Sequence, residues 1–188
     1  MLLKKLFILI AIIGFSFAIP AKGGGLYLSA GPEYFIPQTN FDLTNKACWG
    51  IKAEITGKKY CKLWYGLRMD YLFLKKKDDL TQMYYDKAFY LSPVVKWAPF
   101  TKDCYDNKFI PYLEGMLNLS IIDGNDDASQ VGLGGALGLG VAYNFKIFDR
   151  CWMVEADGIY SAPNAFYRDD IRNTMQSINL ALTLSVAL

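Results

Sequence analysis

The chain has 188 residues, 53% of them hydrophobic, and a formal net charge of +2. Basic and acidic residues are mixed along its length, which argues against nucleic acid as a partner. The sequence contains no histidine, which excludes Ser-His hydrolases, histidine-using lipid A acyltransferases or deacylases, and the common zinc sites.

The first eighteen residues predict a cleaved secretory signal peptide. Lys4 and Lys5 form a charged start, residues 6–17 an apolar core, and Ser16-Phe17-Ala18 a small-x-small cleavage site. A membrane anchor is the alternative, but the apolar run is short for a spanning helix and Pro20 follows at once. We expect a signal peptide over residues 1–18 and one domain over residues 19–188.

After the signal segment, the apolar residues occur mainly in runs in which apolar residues alternate with small or polar ones. Eight alternating runs follow in chain order, at residues 25–35, 47–57, 62–74, 88–98, 109–122, 131–145, 151–162 and 175–188. Long polar connections at 36–46, 75–87, 123–130 and 163–174 alternate with shorter ones at 58–61, 99–108 and 146–150. Alternation of long and short connections is typical of an up-and-down barrel with two unlike ends. An even number of strands puts both termini at the short-turn, periplasmic end.

The last run shows this pattern without interruption. From Ile178 to Leu188 every second residue is Ile, Leu or Val, and small or polar residues lie between them. A strand of this length crosses a bilayer at a tilt. The sequence therefore predicts an all-β protein, an eight-stranded antiparallel up-and-down transmembrane β-barrel with a filled polar lumen, located in the bacterial outer membrane.

On the apolar face of the predicted strands, aromatic residues lie near the strand ends and aliphatic residues lie in the middle of each strand. Rings prefer the two membrane interfaces and aliphatic side chains the hydrocarbon. The predicted interface aromatics are Trp49, Tyr65, Tyr71, Phe73, Phe89, Trp97, Trp152 and Tyr160.

The opposite parity carries the ionisable residues, which cannot face lipid cheaply and so must face the lumen. The predicted lumen charge network consists of Lys52, Glu54, Arg68, Asp70, Lys96, Glu114, Glu155 and Asp157, and Glu33 shares their parity. An eight-stranded barrel has an interior that side chains just fill, so we expect salt bridges and water, not a wide pore. Small residues at alternate positions of run 131–145, from Gly132 to Ala142, would make room for larger groups opposite.

Two prolines fit this pattern poorly. Pro93 lies in the middle of the fourth run and Pro111 near the start of the fifth, and a closed barrel has no edge strand that tolerates a missing amide. We expect a β-bulge near Pro93.

No sequence motif points to catalysis, a cofactor or a metal. Glu155 and Asp157 share a face about 7 Å apart and resemble a glycosidase carboxylate pair, but salt bridges in a filled lumen are the favoured interpretation. Residues 123–127 hold oxygen ligands without the spacing and closing glutamate of a calcium loop, which favours a solvated turn.

One basic segment has a candidate ligand. Residues 75–77 are three lysines, and together with Arg168 and Arg172 they could meet the phosphates of an outer-leaflet glycolipid. Neighbouring aspartates reduce the positive charge of this segment, and solvated surface side chains are the favoured interpretation.

The sequence has four cysteines, and after export they lie in an oxidising compartment, where disulfide bonds can form. Cys61, Cys104 and Cys151 fall at or beside the short turns, whereas Cys48 lies about 30 Å away along its strand, beyond disulfide reach. We predict a Cys61–Cys104 bond and an unpaired Cys48, the alternative being four free thiols.

Three segments resemble the small bacterial outer-membrane β-barrel proteins of the eight-stranded porin-like and surface-antigen type: residues 110–115 (IPYLEG), the glycine-rich residues 132–141, and residues 154–157 (VEAD). The resemblance covers nearly the whole chain after the signal. It implies mobile surface loops, outer-membrane lipids and the barrel assembly machinery as partners, and roles from structural anchor to adhesin. Such chains usually end in an aromatic residue, and this one ends in Leu188.

Three functional hypotheses follow. The first is a monomeric, non-enzymatic structural or surface-interaction protein that contacts an extracellular ligand through its loops. The second is a narrow porin-like module that passes ions or a small apolar solute. The third, a soluble exported ligand-binding barrel, requires the apolar parity to point inward.

Overall fold

The alternating runs form strands. A computed structural model describes residues 25–60, 62–77, 85–101, 108–124, 129–148, 150–168 and 175–188. Their elements are β1 (Leu26–Gln38), α1 (Thr39–Thr44), β2 (Asn45–Lys46), β3 (Cys48–Tyr60), β4 (Leu63–Phe73), β5 (Lys75–Lys76), β6 (Tyr85–Trp97), β7 (Phe109–Gly124), β8 (Ser129–Ile147), β9 (Arg150–Arg168) and β10 (Gln176–Ala187).

Eight of the strands close into a barrel in the order β1-β10-β9-β8-β7-β6-β4-β3, and β3 pairs back onto β1. Every pair is antiparallel, and closure places Tyr27 of β1 opposite Ala187 of β10. The predicted eight-stranded antiparallel barrel is therefore confirmed. We call the end that holds the connections after β1, β4, β7 and β9 the loop end, and the other, where β1 begins and β10 ends, the turn end.

Alternate residues of each strand lie on opposite faces of the barrel wall, with the apolar set on one face and the polar set on the other, as predicted. Along β10 the burial alternates strictly from Ser177 to Ser185, with small and polar side chains inside and aliphatic ones outside. The outward side chains of Leu137 and Leu139 are 73% and 66% exposed. The apolar parity points outward, which contradicts the soluble ligand-binding alternative. Among the described residues, no helix has the length and apolarity needed to cross a membrane.

Strand β9 is longer than predicted. Residues 163–168, assigned from sequence to a loop, continue the strand to Arg168. Gly135 pairs with Ala162, but Leu133 pairs with Tyr167, so residues 163–166 bulge opposite Gly134 before pairing resumes. Pro163 interrupts the alternation at this point, which is why the sequence pattern ended there.

Other predicted connections also contain regular structure. The 36–46 connection holds the end of β1, the short helix α1 and strand β2, which pairs with β5 in a two-stranded sheet at the loop end. The predicted turn at 58–61 is wrong at its start, because β3 runs to Tyr60 and buries Lys58. The longer β1 and β3 extend the barrel beyond the alternating runs, whereas β2 and β5 form a separate sheet.

The predicted bulge at Pro93 is wrong. Pro93 pairs with Leu67 of β4 in unbroken register. On the other side, pairing with β7 is interrupted between Leu91 and Val94 and resumes in the same register. The missing amide therefore interrupts the ladder locally without adding a residue to the strand. Pro111 likewise stays in register, opposite Val141.

Closure predicts heat-modifiable mobility. A barrel without a free edge keeps its hydrogen-bonded ladder in detergent. We expect refolded, unboiled protein to migrate differently from boiled protein on a denaturing gel. Identical mobility of the two samples, with refolding verified by circular dichroism, would contradict a ladder that persists in detergent.

Candidate functional site

The middle of the lumen contains a buried ion-pair network centred on Arg68. Its Nε donates to Asp70 Oδ1 at 2.7 Å and its Nη2 to Glu33 Oε1 at 2.8 Å. Nη1 lies 3.7 Å from Asp157 Oδ1. One guanidinium thus compensates three carboxylates from β1, β4 and β9, using the fork of donors that only arginine offers.

Two lysines complete the network across the barrel. Lys52 of β3 contacts Asp157 and lies 3.6 Å from Glu54. Lys96 of β6 donates to Glu155 at 2.7 Å and lies at the same distance from Glu54. These side chains are almost completely buried, so the structure brings together seven of the eight residues assigned to the network from sequence.

Neutral side chains extend the network toward β10. Asn179 donates to Glu33 at 2.8 Å, and Ser185 donates to Glu155 at 3.0 Å while sharing a 2.7 Å hydrogen bond with Ser29. Buried carboxylates need such partners because each unsatisfied oxygen carries a desolvation cost.

Glu114 is the exception, because it forms no ion pair among the described residues, whereas Glu54 lies within ion-pair distance of Lys52 and Lys96. It is buried in the lumen, yet neither of its carboxylate oxygens has a hydrogen-bond partner among the described residues. It lies against the Cα of Gly138, where an added Cβ would come within 3.0 Å of its Oε1. The structure therefore places Glu114 beside the ion-pair network without a direct contact to it.

This difference between Glu114 and Glu155 gives a matched prediction. Glu→Gln removes one charge at each position and keeps the shape. We expect Glu155→Gln to lower the free energy of unfolding by about 1.5 to 3 kcal/mol, because Lys96 and Ser185 lose a charged acceptor. Glu114→Gln should be neutral or stabilising, because it removes an unpartnered buried charge. Urea unfolding of both variants checks this, and a larger loss at Glu114 would contradict the geometry.

Apolar clusters cover the network on both sides. The loop-end cluster consists of Phe35, Phe41, Cys48, Leu72, Leu74, Ala88, Tyr90, Ile122 and Met175. Helix α1 supplies Phe41, whose ring meets Phe35 edge-on with centroids 5.3 Å apart. The turn-end cluster consists of Tyr27, Trp64, Ala98, Ile110, Tyr112, Ala142 and Met153. The charges therefore lie between two apolar layers.

Sequence reasoning missed Lys58, which is buried against two residues of the turn-end cluster, Tyr27 and Trp64. Its ammonium lies 4.3 Å from the ring centroid of Tyr27 and 4.2 Å from that of Trp64, a cation–π arrangement. The inward parity of Lys58 was a usable signal, but the alternation ended at Gly57 and assigned this lysine to a turn.

The small residues of β8 make room for larger inward side chains, as predicted. A Cβ at Gly140 would lie 2.5 Å from the Tyr112 ring, and one at Gly132 would lie 2.6 Å from Ser120 Oγ. These glycines leave room for larger side chains of β7, so the interior is packed with side chains, as expected for eight strands.

The predicted interface aromatics lie on the outer wall in two groups. Trp49, Tyr71, Phe73, Phe89 and Tyr160 lie toward the loop end, whereas Tyr65, Trp97 and Trp152 lie toward the turn end. Five of the eight are exposed, as Trp49 is at 59%, and Tyr65, Phe89 and Trp152 are partly buried. An apolar wall between two aromatic rows is the surface expected of a transmembrane barrel.

The other sequence candidates are not assembled into sites. The carboxylates of Glu155 and Asp157 are held by Lys96 and Lys52. Most of the suspected calcium loop, residues 125–127, lies outside the described residues. In the described ranges, no three acids or cysteines are positioned to hold a metal ion.

The cysteine prediction falls partly outside the described residues, since Cys61 and Cys104 are among those not described. Within the described ranges, Cys48 and Cys151 form no disulfide. We expect peptide mapping of unreduced protein to give a Cys61–Cys104 fragment. A Cys104–Cys151 link would correct the turn geometry, and any link through Cys48 would contradict the strand assignment.

Comparisons with known proteins bear on this architecture. No protein-family model matches the chain, and no curated protein matches it. Among solved structures, the Neisserial surface protein NspA matches with a TM-score of 0.64 and 16% identity, covering 89% of this chain and 100% of its own. The outer membrane protein OprG of Pseudomonas aeruginosa matches with a TM-score of 0.55 and 13% identity, covering 89% of this chain and 95% of its own.

The chain has the fold of the small outer-membrane barrels. The N-terminal β-barrel domain of OprF from Pseudomonas aeruginosa has the same fold, with a TM-score of 0.51 and 11% identity over 86% of this chain and 98% of its own. The resemblance drawn from the glycine-rich and VEAD segments is thus confirmed at the level of fold. In an outer-membrane barrel fold, polar contents and an apolar wall are the expected arrangement.

Proposed function

We propose that this protein is an integral outer-membrane β-barrel with a structural or surface-interaction, adhesin-like role exerted through its loops. The apolar outer wall between two aromatic rows supports membrane placement. In a soluble protein, a contiguous apolar surface of this extent would be an aggregation hazard.

The observation that carries the functional proposal is the closed lumen. Ion pairs fill its middle, and the loop-end and turn-end clusters cover them on either side. A permeating ion would have to disrupt both an apolar layer and a compensated set of buried charges. A barrel built this way serves to anchor its loops, and the loops would meet lipid head groups, host matrix or other cells.

The proposal also covers the orientation, the partners and the oligomeric state of the protein. We place both termini in the periplasm and the loop end outside the cell, after export by the signal peptide of residues 1–18. The partners are outer-membrane lipids, the barrel assembly machinery and an extracellular ligand of the loops. We propose that the protein acts as a monomer, because closure leaves none of the eight barrel strands with a free edge for pairing. The role is non-enzymatic and needs no cofactor.

Conductance measurements on purified, refolded protein in planar bilayers test this function. We expect a silent bilayer at neutral pH, and discrete openings would refute the anchor role. Fractionation followed by protease shaving of intact cells tests the placement. Cleavage in the loop-end connections and protection of the turn-end connections are expected. The reverse pattern would invert the topology.

A second candidate function, passage of a small apolar solute, has one supporting observation. A groove of about 750 Å³ opens on the outer wall beside the bulge of β9, lined by apolar residues that include Pro93, Leu137 and Phe166. Met116 and Ala136, on the inward parity, also line it. Solute uptake into vesicles that contain the protein, without ionic conductance, would favour this candidate over the anchor.

A further inference from the structure

Small residues on three neighbouring strands form the floor of the groove beside the bulge of β9. Gly115 of β7, Gly135 of β8 and Ala162 of β9 lie on the outward parity, and none has a side chain larger than a methyl group. Gly135 pairs with Ala162, and Gly115 pairs with Leu137, two residues along β8 from Gly135. The floor therefore crosses the three strands diagonally. We call this feature, of about 750 Å³, the wall groove.

Larger apolar side chains form the sides of the wall groove. The bulge of β9 exposes Phe166, and a Cβ at Gly135 would lie 3.5 Å from the Phe166 ring. Val95, Leu117 and Leu137 line the groove from β6, β7 and β8, and their side chains are exposed. The wall groove is therefore a depression that is bounded by apolar side chains and open to the surroundings of the barrel.

The base of the wall groove is also apolar. Met116 and Ala136, on the inward parity, line it and pack with Val94 and Ile159 in a small cluster inside the barrel. Among the described residues that line the groove, Tyr160 alone carries a side-chain oxygen or nitrogen. A ligand of the wall groove must therefore be apolar, because a polar group buried there would lack hydrogen-bond partners.

The size of the wall groove and the closure of the barrel distinguish between apolar occupants. An α-helix is about 10 Å across, so a volume of about 750 Å³ would hold fewer than about two turns of one. An added β-strand would leave its backbone groups unpaired, because the eight barrel strands are already paired on both sides. An acyl chain is narrower than either and has no hydrogen-bonding groups along its length.

The position of the wall groove matches the depth of acyl chains in a bilayer. On β6, its lining residues Pro93 and Val95 lie between Phe89 of the loop-end aromatic row and Trp97 of the turn-end row. On β9, Tyr160 belongs to the loop-end row. Because aromatic rows mark the two membrane interfaces, the groove opens into the hydrocarbon layer on its loop-end side.

We propose that the wall groove binds one acyl chain of a lipid in the leaflet at the loop end. This inference rests on the proposed membrane placement. Lipid tails are as apolar as leucine, so close packing and not release from water favours the bound chain. A chain in the groove contacts side chains on several sides, whereas a chain on the rest of the wall contacts them on one. The chain is held in place and does not pass the wall, unlike the solute of the second candidate function.

The test measures lipid retention by native mass spectrometry. Full-length protein is refolded into vesicles of dimyristoylphosphatidylcholine, extracted in non-ionic detergent and diluted stepwise with that detergent. We expect the unmodified protein to keep one phospholipid molecule after the others are lost. Ala162→Leu and Gly115→Leu each fill part of the groove. The equilibrium constant for retention should fall about tenfold in each, for a loss of roughly ten close atom contacts.

Ala156→Leu is the matched control. Ala156 is exposed on the outward parity of β9, as part of the same strand as Ala162, but it does not line the groove. Retention should be unchanged in this variant. The mobility of unboiled samples verifies that each variant is folded. Gly115→Leu provides a second measurement that leaves the bulge of β9 unaltered.

Three outcomes would overturn the site. Equal retention in the unmodified protein and both groove variants would show that the lipid does not occupy the groove, and equal losses in Ala156→Leu and Ala162→Leu would show unspecific contact with the wall. A dimer that retains no lipid, and that dissociates in the groove variants, would assign the groove to a second copy of the chain.

Flotation of the vesicles before extraction separates this inference from the membrane placement on which it rests. Protein that fails to float with the vesicles would contradict the membrane placement, and the acyl-chain site with it. Protein that floats but retains no phospholipid would contradict the acyl-chain site alone.

Discussion

We expect Arg68→Leu to lower the free energy of unfolding by about 3 to 5 kcal/mol, the usual loss when one partner of a buried ion pair is removed. Arg68 is 1% exposed and faces Glu33, Asp70 and Asp157. Leucine would leave these carboxylates without their shared counter-charge, in an interior sealed by apolar clusters at both ends. Lys52 would still compensate Asp157, so the uncompensated charge falls mainly on Glu33 and Asp70.

Urea unfolding of protein refolded in lipid vesicles measures this loss. Lys76→Ala is the control, because Lys76 is exposed at the loop end and surface substitutions change stability by about 0.5 kcal/mol or less. Equal losses in the two variants would mean that the inner and outer faces of β4 are misassigned.

The second large effect is expected at Gly134, opposite the bulge of β9. A Cβ at Gly134 would lie 1.8 Å from the carbonyl oxygen of Ala162, which is backbone and cannot rotate away. We expect Gly134→Ala to cost about 3 kcal/mol, at the upper end of the range for overpacking, because the two strands must separate. The folded fraction, read as the heat-modifiable band after refolding, should fall accordingly.

Gly115→Ala is the matched control on the neighbouring strand. Its added methyl group would lie 3.5 Å from the side chain of Leu137, an ordinary van der Waals distance. We expect a change of less than about 0.5 kcal/mol. If Gly115→Ala were as costly as Gly134→Ala, glycine content in general, and not the close approach of β8 and β9, would explain the loss.

Most of the barrel could be predicted from the sequence because a strand with one face in lipid and one in a polar lumen must alternate. The period of two in the last run therefore located β10 and both of its faces. The pattern ends before the strand does where local chemistry breaks the period of two while strand pairing continues. Pro163 interrupted the pattern in β9, and Lys58 extended β3 beyond the last apolar residue of its run.

The sequence pattern predicts which residues face the lumen but not which of these residues form ion pairs with each other. Parity alone assigned Lys96 and Glu155 to the interior. Their ion pair joins residues 59 positions apart on strands that are not neighbours in the sheet, so it depends on the closed three-dimensional arrangement. That Glu114 has no ion-pair or hydrogen-bond partner in the described part of the chain is likewise a property of geometry, since its charge and parity match those of the other lumen acids.

The four tryptophans divide between the two surfaces of the wall. Trp49, Trp97 and Trp152 lie on the outward parity, whereas Trp64 is 1% exposed in the turn-end cluster beside Lys58. Lipids brominated along their acyl chains will therefore quench the fluorescence of the outer three and spare Trp64. The residual emission is an intrinsic optical probe of the barrel interior, and its changes would report whether the turn-end cluster opens.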